Sequence, residues 1–221
     1  MKVRVWDLPT RLFHWLLAVC VTGLVLTGEI AGDAMAWHFR FGYLVLALVL
    51  FRLVWGFAGG YWSRFSSFVR RPSHVVAYIR GRKSSSSVGH NPLGALSVLA
   101  LLGLLLVQAG AGLISDDEVL VSGPLVAKVP NAWVTAATTF HTTVGKFGVL
   151  ALVALHIGAI VWYRLRKNED LVTPMWTGDK DVLEPVAASL DSAARRWTAL
   201  AIAGMCGLGV WALLAWAATA P

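Results

Sequence analysis

Uninterrupted apolar runs alternate along the chain with polar connections, at roughly residues 12–27, 43–57, 93–114, 144–163 and 197–218. A helix needs about 20 apolar residues to cross a hydrocarbon core of about 30 Å, and the first two runs reach that length only by including their histidine-bearing ends. The alternation over about ten residues that marks a membrane barrel is absent. In lipid only helices and closed barrels satisfy their backbone polar groups, so the pattern predicts an all-α integral membrane helical bundle. Four runs form its core, and the fifth, which has no ionisable residue after Arg196, adds a C-terminal span.

Composition agrees. The 221 residues are 57% hydrophobic and only 14% charged, where a soluble domain carries about a quarter, and the mean hydropathy is +0.66. The net charge of +7 raises the possibility of a nucleic-acid partner, but the basic residues group by membrane side and not along one soluble face. Lys2, Arg4 and Arg11 precede the first run. Arg64, Arg70, Arg71, Arg80, Arg82 and Lys83 fill the second connection, and Arg164, Arg166, Lys167, Lys180, Arg195 and Arg196 the fourth. The positive-inside rule makes these segments cytoplasmic. The other connections carry Glu29 and Asp33, then Asp116, Asp117 and Glu118 against Lys128, and face the opposite side. The expected topology is therefore N-terminus cytoplasmic, five crossings, C-terminus periplasmic. The first run also has the outline of a signal peptide, but Ala-Gly-Asp-Ala is a poor cleavage site and Asp7, Arg11 and His14 would have no role in one. Residues 72–82, with Val75, Val76 and Ile79 on one side, read as a short interfacial helix, and residues 84–87 as a serine link.

The two cysteines, Cys20 and Cys206, lie inside apolar runs without metal-ligand spacing, and the absence of Cys-x-x-Cys-His excludes covalent c-type haem. The histidines carry more. Four of the six sit in or at the ends of spans, where an ionisable residue is costly and functional by default. His14 opens the first helix on the cytoplasmic side and His38 the second on the periplasmic side, while His141 and His156 share the fourth. His156 lies fifteen residues beyond His141, about 22 Å along an ideal helix and turned only about 60° from it. Depth then pairs His14 with His156 and His38 with His141, as two stacked bis-histidine centres. Taken singly, each histidine is explained as a hydrogen-bonding group between helices; two depth-matched pairs are not. A bare zinc site needs four ligands, and two histidines per level without carboxylate or thiolate underfill it, whereas macrocycle nitrogens would complete the shell.

A planar macrocycle needs a slot between helices. His38-Phe-Arg-Phe-Gly42 and His141-Thr-Thr-Val-Gly145 repeat one pattern, placing a glycine one turn after the histidine on the same face; Gly158 follows His156, and Gly23 and Gly28 thin the first helix. Arg40 and Lys146 lie near the outer histidines and Arg52 at the inner depth; haem propionates would supply their counter-charge, the alternative being snorkelling, which suits Arg40 and Arg52 better than the deeper Lys146. His74 reads as a surface residue. His90, in Gly-His-Asn-Pro, is read as a helix-cap neighbour or as a quinone or proton contact, and Asp7 before Pro9 as a helix-start residue. Trp6, Trp15, Trp37, Trp55, Trp62, Trp133 and Trp162 read as an interfacial aromatic belt.

In combination, Val-Trp-Asp-Leu-Pro-Thr-Arg-Leu-Phe-His14-Trp, Trp-His38-x-x-x-Gly, Phe-Arg52-Leu-Val-Trp-Gly, Gly-His90-Asn-Pro-Leu-Gly-Ala-Leu, Phe-His141-x-x-x-Gly and Leu-His156 resemble the bacterial di-haem cytochrome b561 family, related to the cytochrome b subunit of membrane-bound nickel-iron hydrogenases. The resemblance covers about residues 3–180, the di-haem domain. Residues 181–221 depart from it as a connector and an added helix, where Gly204, Gly207 and Gly209 suit a close interface such as a homodimer. It implies a bacterial inner-membrane protein with two haems b on His14, His156, His38 and His141, exchanging electrons between quinone and a periplasmic partner, a c-type cytochrome or a hydrogenase-like subunit. Asp116, Asp117 and Glu118 would dock a basic partner. Two other functions compete: a superoxide:quinone oxidoreductase, which wants a basic outer entrance that only Arg40 and Lys146 offer, and a haem-free transporter or assembly subunit with proton-relaying histidines.

Overall fold

The computed structural model describes residues 1–80, 88–117 and 121–219. Arg82, Lys83, the serine link at residues 84–87 and Glu118 lie outside the described residues. Strand β1 (Lys2–Arg4) precedes helices α1 (Leu8–Ile30), α2 (Met35–Ala58), α3 (Phe65–Phe68), α4 (Pro72–Ile79), α5 (Pro92–Leu113) and α6 (Asn131–Thr139). A π-turn, Phe140–Gly145, joins α6 to α7 (Lys146–Arg166), and α8 (Val172–Thr177), strand β2 (Asp179–Asp181) and α9 (Ala193–Ala217) complete the chain. Among the described residues five helices are long and apolar enough to cross a membrane, so this is an all-α, multi-pass integral membrane protein. Large apolar side chains stay unburied along them, Phe147, Leu155, Leu200 and Trp211 among others, as lipid-facing helices require.

Helix ends depart from the apolar runs because capping, not hydropathy, sets them. Asp7 starts α1 by accepting from the Thr10 N–H at 2.8 Å, and Asn91 starts α5 by accepting from the Gly94 N–H at 2.8 Å, with Pro92 at the first helical position. The fourth span begins at Asn131, well ahead of the run that announced it. The interfacial segment forms a helix over Pro72–Ile79, with Val76 and Ile79 exposed.

The chain forms two compact units. The first comprises Met1–Phe13, Arg52–Ala100 and Leu152–Ile202. Here β1 pairs antiparallel with β2, with Val3 opposite Lys180. Gly178 ends α8 at φ 89°, and its carbonyl accepts from the Val5 and Trp6 N–H groups at 2.8 and 3.0 Å. A Cβ there would stand 2.7 Å from the Trp6 carbonyl oxygen, so a side chain at this position would be both strained and crowded.

Asp7 is the hub of this unit. Fully buried, it also accepts from the Gly60 N–H at 2.9 Å, the Ser63 hydroxyl at 2.9 Å and the Trp55 indole N–H at 3.3 Å. Trp55 and Trp6 therefore leave the expected aromatic belt: both are buried, Trp55 because its indole N–H has an acceptor inside the protein.

Arg4 bonds Asp179 at 2.6 Å and Asp191 at 2.9 Å, and Arg196 holds Asp191 from the other side at 2.9 Å. Burial alone would raise the Asp191 carboxyl. The Arg196 hydrogen bond and charge, the Leu8 N–H and Arg4 outweigh it and hold the group below the usual carboxylate range. A depressed carboxyl stabilises the fold above its unfolded pKa of about 3.9 and stops doing so as pH falls through the lower folded value. Hydrogen exchange at Val5, Trp6 and Ser189 should thus stay constant from neutral pH down to about 4, after correction for intrinsic rates, and speed up only below it. Loss of protection already at pH 6 would contradict the linkage.

The second unit comprises His14–Phe51, Leu101–Ala151 and Ala203–Pro221. Its core centres on Leu46, Leu113 and Val210, with Tyr43, Leu106 and Leu213 packed around them. The connection after α5 folds back through a bridge between Asp116 and Ser122 and a hydrogen bond from the Asp116 N–H to the Thr138 hydroxyl at 3.0 Å.

Candidate functional site

Within the second unit α1, α2, α5, the π-turn and the start of α7 surround a cavity of about 300 Å³, lined by Leu24, Gly28, His38, Gly42, Gln108 and His141 among others. His38, on the first turn of α2, points its Nδ1 at the Leu24 carbonyl of α1, 3.1 Å away. His141 points its Nδ1 at the Gln108 carbonyl of α5, 2.9 Å away. A carbonyl only accepts, so Nδ1 carries the proton in both rings and Nε2 keeps its lone pair for another partner. The ring centroids are 6.2 Å apart and the ring planes 84° from parallel.

That separation tests the fit to a metal between them. Two nitrogen–metal bonds of about 2 Å, with about 1.1 Å from each nitrogen to its ring centre, span nearly the same distance. No cluster of three or more His, Cys, Asp or Glu suited to a bare ion occurs among the described residues, and a macrocycle would supply the equatorial ligands that two imidazoles leave open. The donor set fits a bis-imidazole haem.

His141 is carried by the π-turn, which breaks the regular helical phase assumed between it and His156. A run of hydroxyls explains the distortion. Thr135, Thr138, Thr139, Thr142 and Thr143 each donate to the carbonyl four residues back, competing with the backbone for the same acceptors. Those threonines are the signal in the sequence that could have announced the turn.

The two expected glycines differ. Gly42 lines the cavity, and a Cβ there would meet nothing nearer than Leu24 at 4.0 Å. The space beside Gly145 is taken by the Gln108 amide, with which a Cβ would overlap. Lys146, the other expected propionate contact, pairs with Glu29 at 2.5 Å, because α1 runs to Ile30 and carries Glu29 on its last turn instead of in a loop. Arg40 is exposed and stacks over Trp37 at 4.8 Å, away from the cavity lining. Asp116 and Asp117 line the cavity together with Glu29 and Lys146, so the charged part of its lining is acidic on balance.

His14 lies in the second unit, edge-on to Trp15 at 5.0 Å, and His156 in the first, half-buried on α7. Also in the first unit, Arg52 is buried at 3% exposure, donates to the Ser63 carbonyl at 3.0 Å and lies over Phe65 at 5.1 Å. Its Nη1 has no hydrogen-bond partner among the described residues, an open donor of the kind an anionic group would satisfy. His90 packs between Trp6 and Phe68, with ring centroids at 4.7 and 4.6 Å, and Asn91 takes the capping role. Gln108 and Gly112 are the site residues that sequence reasoning missed; the available signal was a lone amide in an otherwise apolar span.

A family model described as prokaryotic cytochrome b561 matches residues 5–178. The chain is similar to a probable Ni/Fe-hydrogenase B-type cytochrome subunit of Rhizobium leguminosarum bv. viciae, 25% identical over 218 residues, 81% of this chain and 89% of that protein. A protein of the same name in Bradyrhizobium diazoefficiens is 26% identical over 217 residues, covering 80% and 85%. The probable Ni/Fe-hydrogenase 1 B-type cytochrome subunit of Escherichia coli K12 is 28% identical over 143 residues, 52% of this chain and 61% of that one. No solved structure matches the chain.

Proposed function

The chain belongs to the prokaryotic cytochrome b561 family, and from that premise we propose that it carries electrons across the bacterial inner membrane through two bis-histidine haems b. Membrane electron transfer through b-type haem is the family's work; the number of haems, their ligands and the electron partners are our reading. The observation that carries it is the juxtaposition of His38 and His141 across one cavity, both Nδ1 groups committed to backbone carbonyls.

A bound haem supplies one-electron iron chemistry whose potential its axial ligands and burial set. The residues of the chain do the rest. His38 and His141 would hold the outer haem by Nε2, Gly42 leaves room for a flat group, and the Leu24 and Gln108 carbonyls fix each ring's tautomer and plane. The sequence spacing extends the same reading to an inner haem on His14 and His156, with Arg52 Nη1 offered to a propionate. Quinone is the membrane-side partner in this reading, with His90 as its candidate contact, and a periplasmic c-type cytochrome or hydrogenase-like subunit the other. Glu29, Asp116 and Asp117 at the cavity favour a basic partner and disfavour superoxide, an anion.

The test is a reduced-minus-oxidised spectrum with pyridine haemochrome quantitation on the detergent-purified protein. The expected result is about two haems b per chain, one for each bis-histidine pair. One haem would remove a pair, and none would return the chain to a haem-free role.

A further inference from the structure

Gln108 touches His141 twice. Its main-chain carbonyl accepts from the ring Nδ1–H at 2.9 Å, and its side-chain Nε2 donates to the His141 carbonyl, also at 2.9 Å. Two glycines make this possible. Gly145 leaves the space the amide occupies beside the π-turn, and Gly112, one turn beyond Gln108, leaves the space the ring occupies: a Cβ there would stand 2.9 Å from Cε1 and 3.2 Å from Nδ1. The arrangement on α1 is similar but lacks the amide. The Leu24 carbonyl accepts from His38, and Gly28 four residues on would bring a Cβ to 3.2 Å of that ring.

We propose that Gln108 is a positioning residue, which with Gly112 clamps the His141 imidazole and thereby sets the potential of the haem that this ring would ligate. The proposal rests on the assignment of His141 as an axial ligand. Physically, the side-chain bond occupies a main-chain carbonyl in the π-turn, where hydrogen bonding departs from the α pattern, and so holds the turn that carries the histidine. The main-chain bond draws the Nδ1 proton toward oxygen and makes the imidazole a more basic ligand, which favours ferric iron. Loosening either contact should raise the midpoint potential of that haem.

The experiment uses the full-length holoprotein in detergent, comparing wild type with Gln108→Met, Gly112→Ala and Gly110→Ala. Methionine matches the length of glutamine but cannot donate. A methyl at position 112 collides with a rigid ring, whereas one at position 110 meets nothing within 4 Å, so Gly110→Ala controls for the helix change itself. Potentiometric titration followed by visible and electron paramagnetic resonance spectra reads each haem separately. Gln108→Met and Gly112→Ala are expected to raise the reduced-to-oxidised ratio of one haem at least threefold at fixed ambient potential, about 28 mV at 59 mV per tenfold for one electron. Its low-spin resonance should shift, while the other haem and Gly110→Ala keep wild-type values.

Unchanged potential and resonance in both variants overturn the clamp while leaving the haem assignment intact. Equal shifts in both haems, or a shift in Gly110→Ala, also overturn it, because they report a general loosening. Failure of the assignment has its own signature: His141→Ala would retain both low-spin haems, a result independent of Gln108.

Discussion

His141→Ala is expected to purify with about one haem b per chain where two are proposed for the wild type, and His38→Ala to do the same. The two rings face one cavity at 6.2 Å, each with Nδ1 engaged, so neither has a nearby substitute once its partner is gone. No third histidine, cysteine or carboxylate completes a cluster with them among the described residues. The haem lost should be the same one in both variants, identified by its potential and low-spin resonance. His14→Ala and His156→Ala should lose the other, and any of the four changes should stop electron transfer across proteoliposomes. Two low-spin haems persisting in His141→Ala would refute the pairing. Loss of one haem in His38→Ala but the other in His141→Ala would mean that the pairing is crossed.

Asp7→Ala should produce the largest loss of stability, for a reason unconnected with haem ligation. The side chain caps α1, worth about 0.5–2 kcal/mol. It also satisfies three further donors, from Gly60, Ser63 and Trp55, inside a fully buried pocket. A buried donor left without an acceptor costs about 1–3 kcal/mol. The buried Arg52 guanidinium would lose the carboxylate whose charge acts on it. Together these predict a loss on the order of 5 kcal/mol and a thermal midpoint lower by about 10–20 °C in detergent, followed by tryptophan fluorescence. Asp7→Asn should fall between, since its amide keeps one acceptor oxygen but turns an NH2 group toward the remaining donors. A midpoint unmoved in Asp7→Ala would show that the hub is not what ties α1 to the Gly60–Ser63 turn.

The five spans, their polar connections and the four membrane histidines were legible along the chain, because lipid demands long apolar helices and makes an ionisable residue within them expensive. Helix ends were less legible. The apolar runs stop where hydropathy stops, while α1 runs on to Ile30 and the fourth span reaches back to Asn131, so Glu29 and the threonine run were read as loop or left unread. Lys146 shows the consequence: its ion pair with Glu29 depends on α1 continuing through residues that hydropathy places in a connection.

Asp7 was recognised as a helix-start residue, but nothing local could show that Gly60, Ser63 and Trp55, more than forty positions away, would converge on it. Trp55 and Trp6 carried the outward signature of interfacial aromatics; only an internal hydrogen-bond partner and packing partners distant in sequence bury them.

The sequence alone determined the class of protein and the number and approximate placement of its spans, since both follow from composition and helical rise. Tertiary structure decided which backbone carbonyl each imidazole meets, that His141 rides on a π-turn, and that Gln108 and Gly112 shape its seat. The physical reason is range. Hydropathy and helical periodicity act over one or two turns, whereas a carbonyl 33 residues away reaches a ring only after separate helices have packed at a distance that their glycines allow.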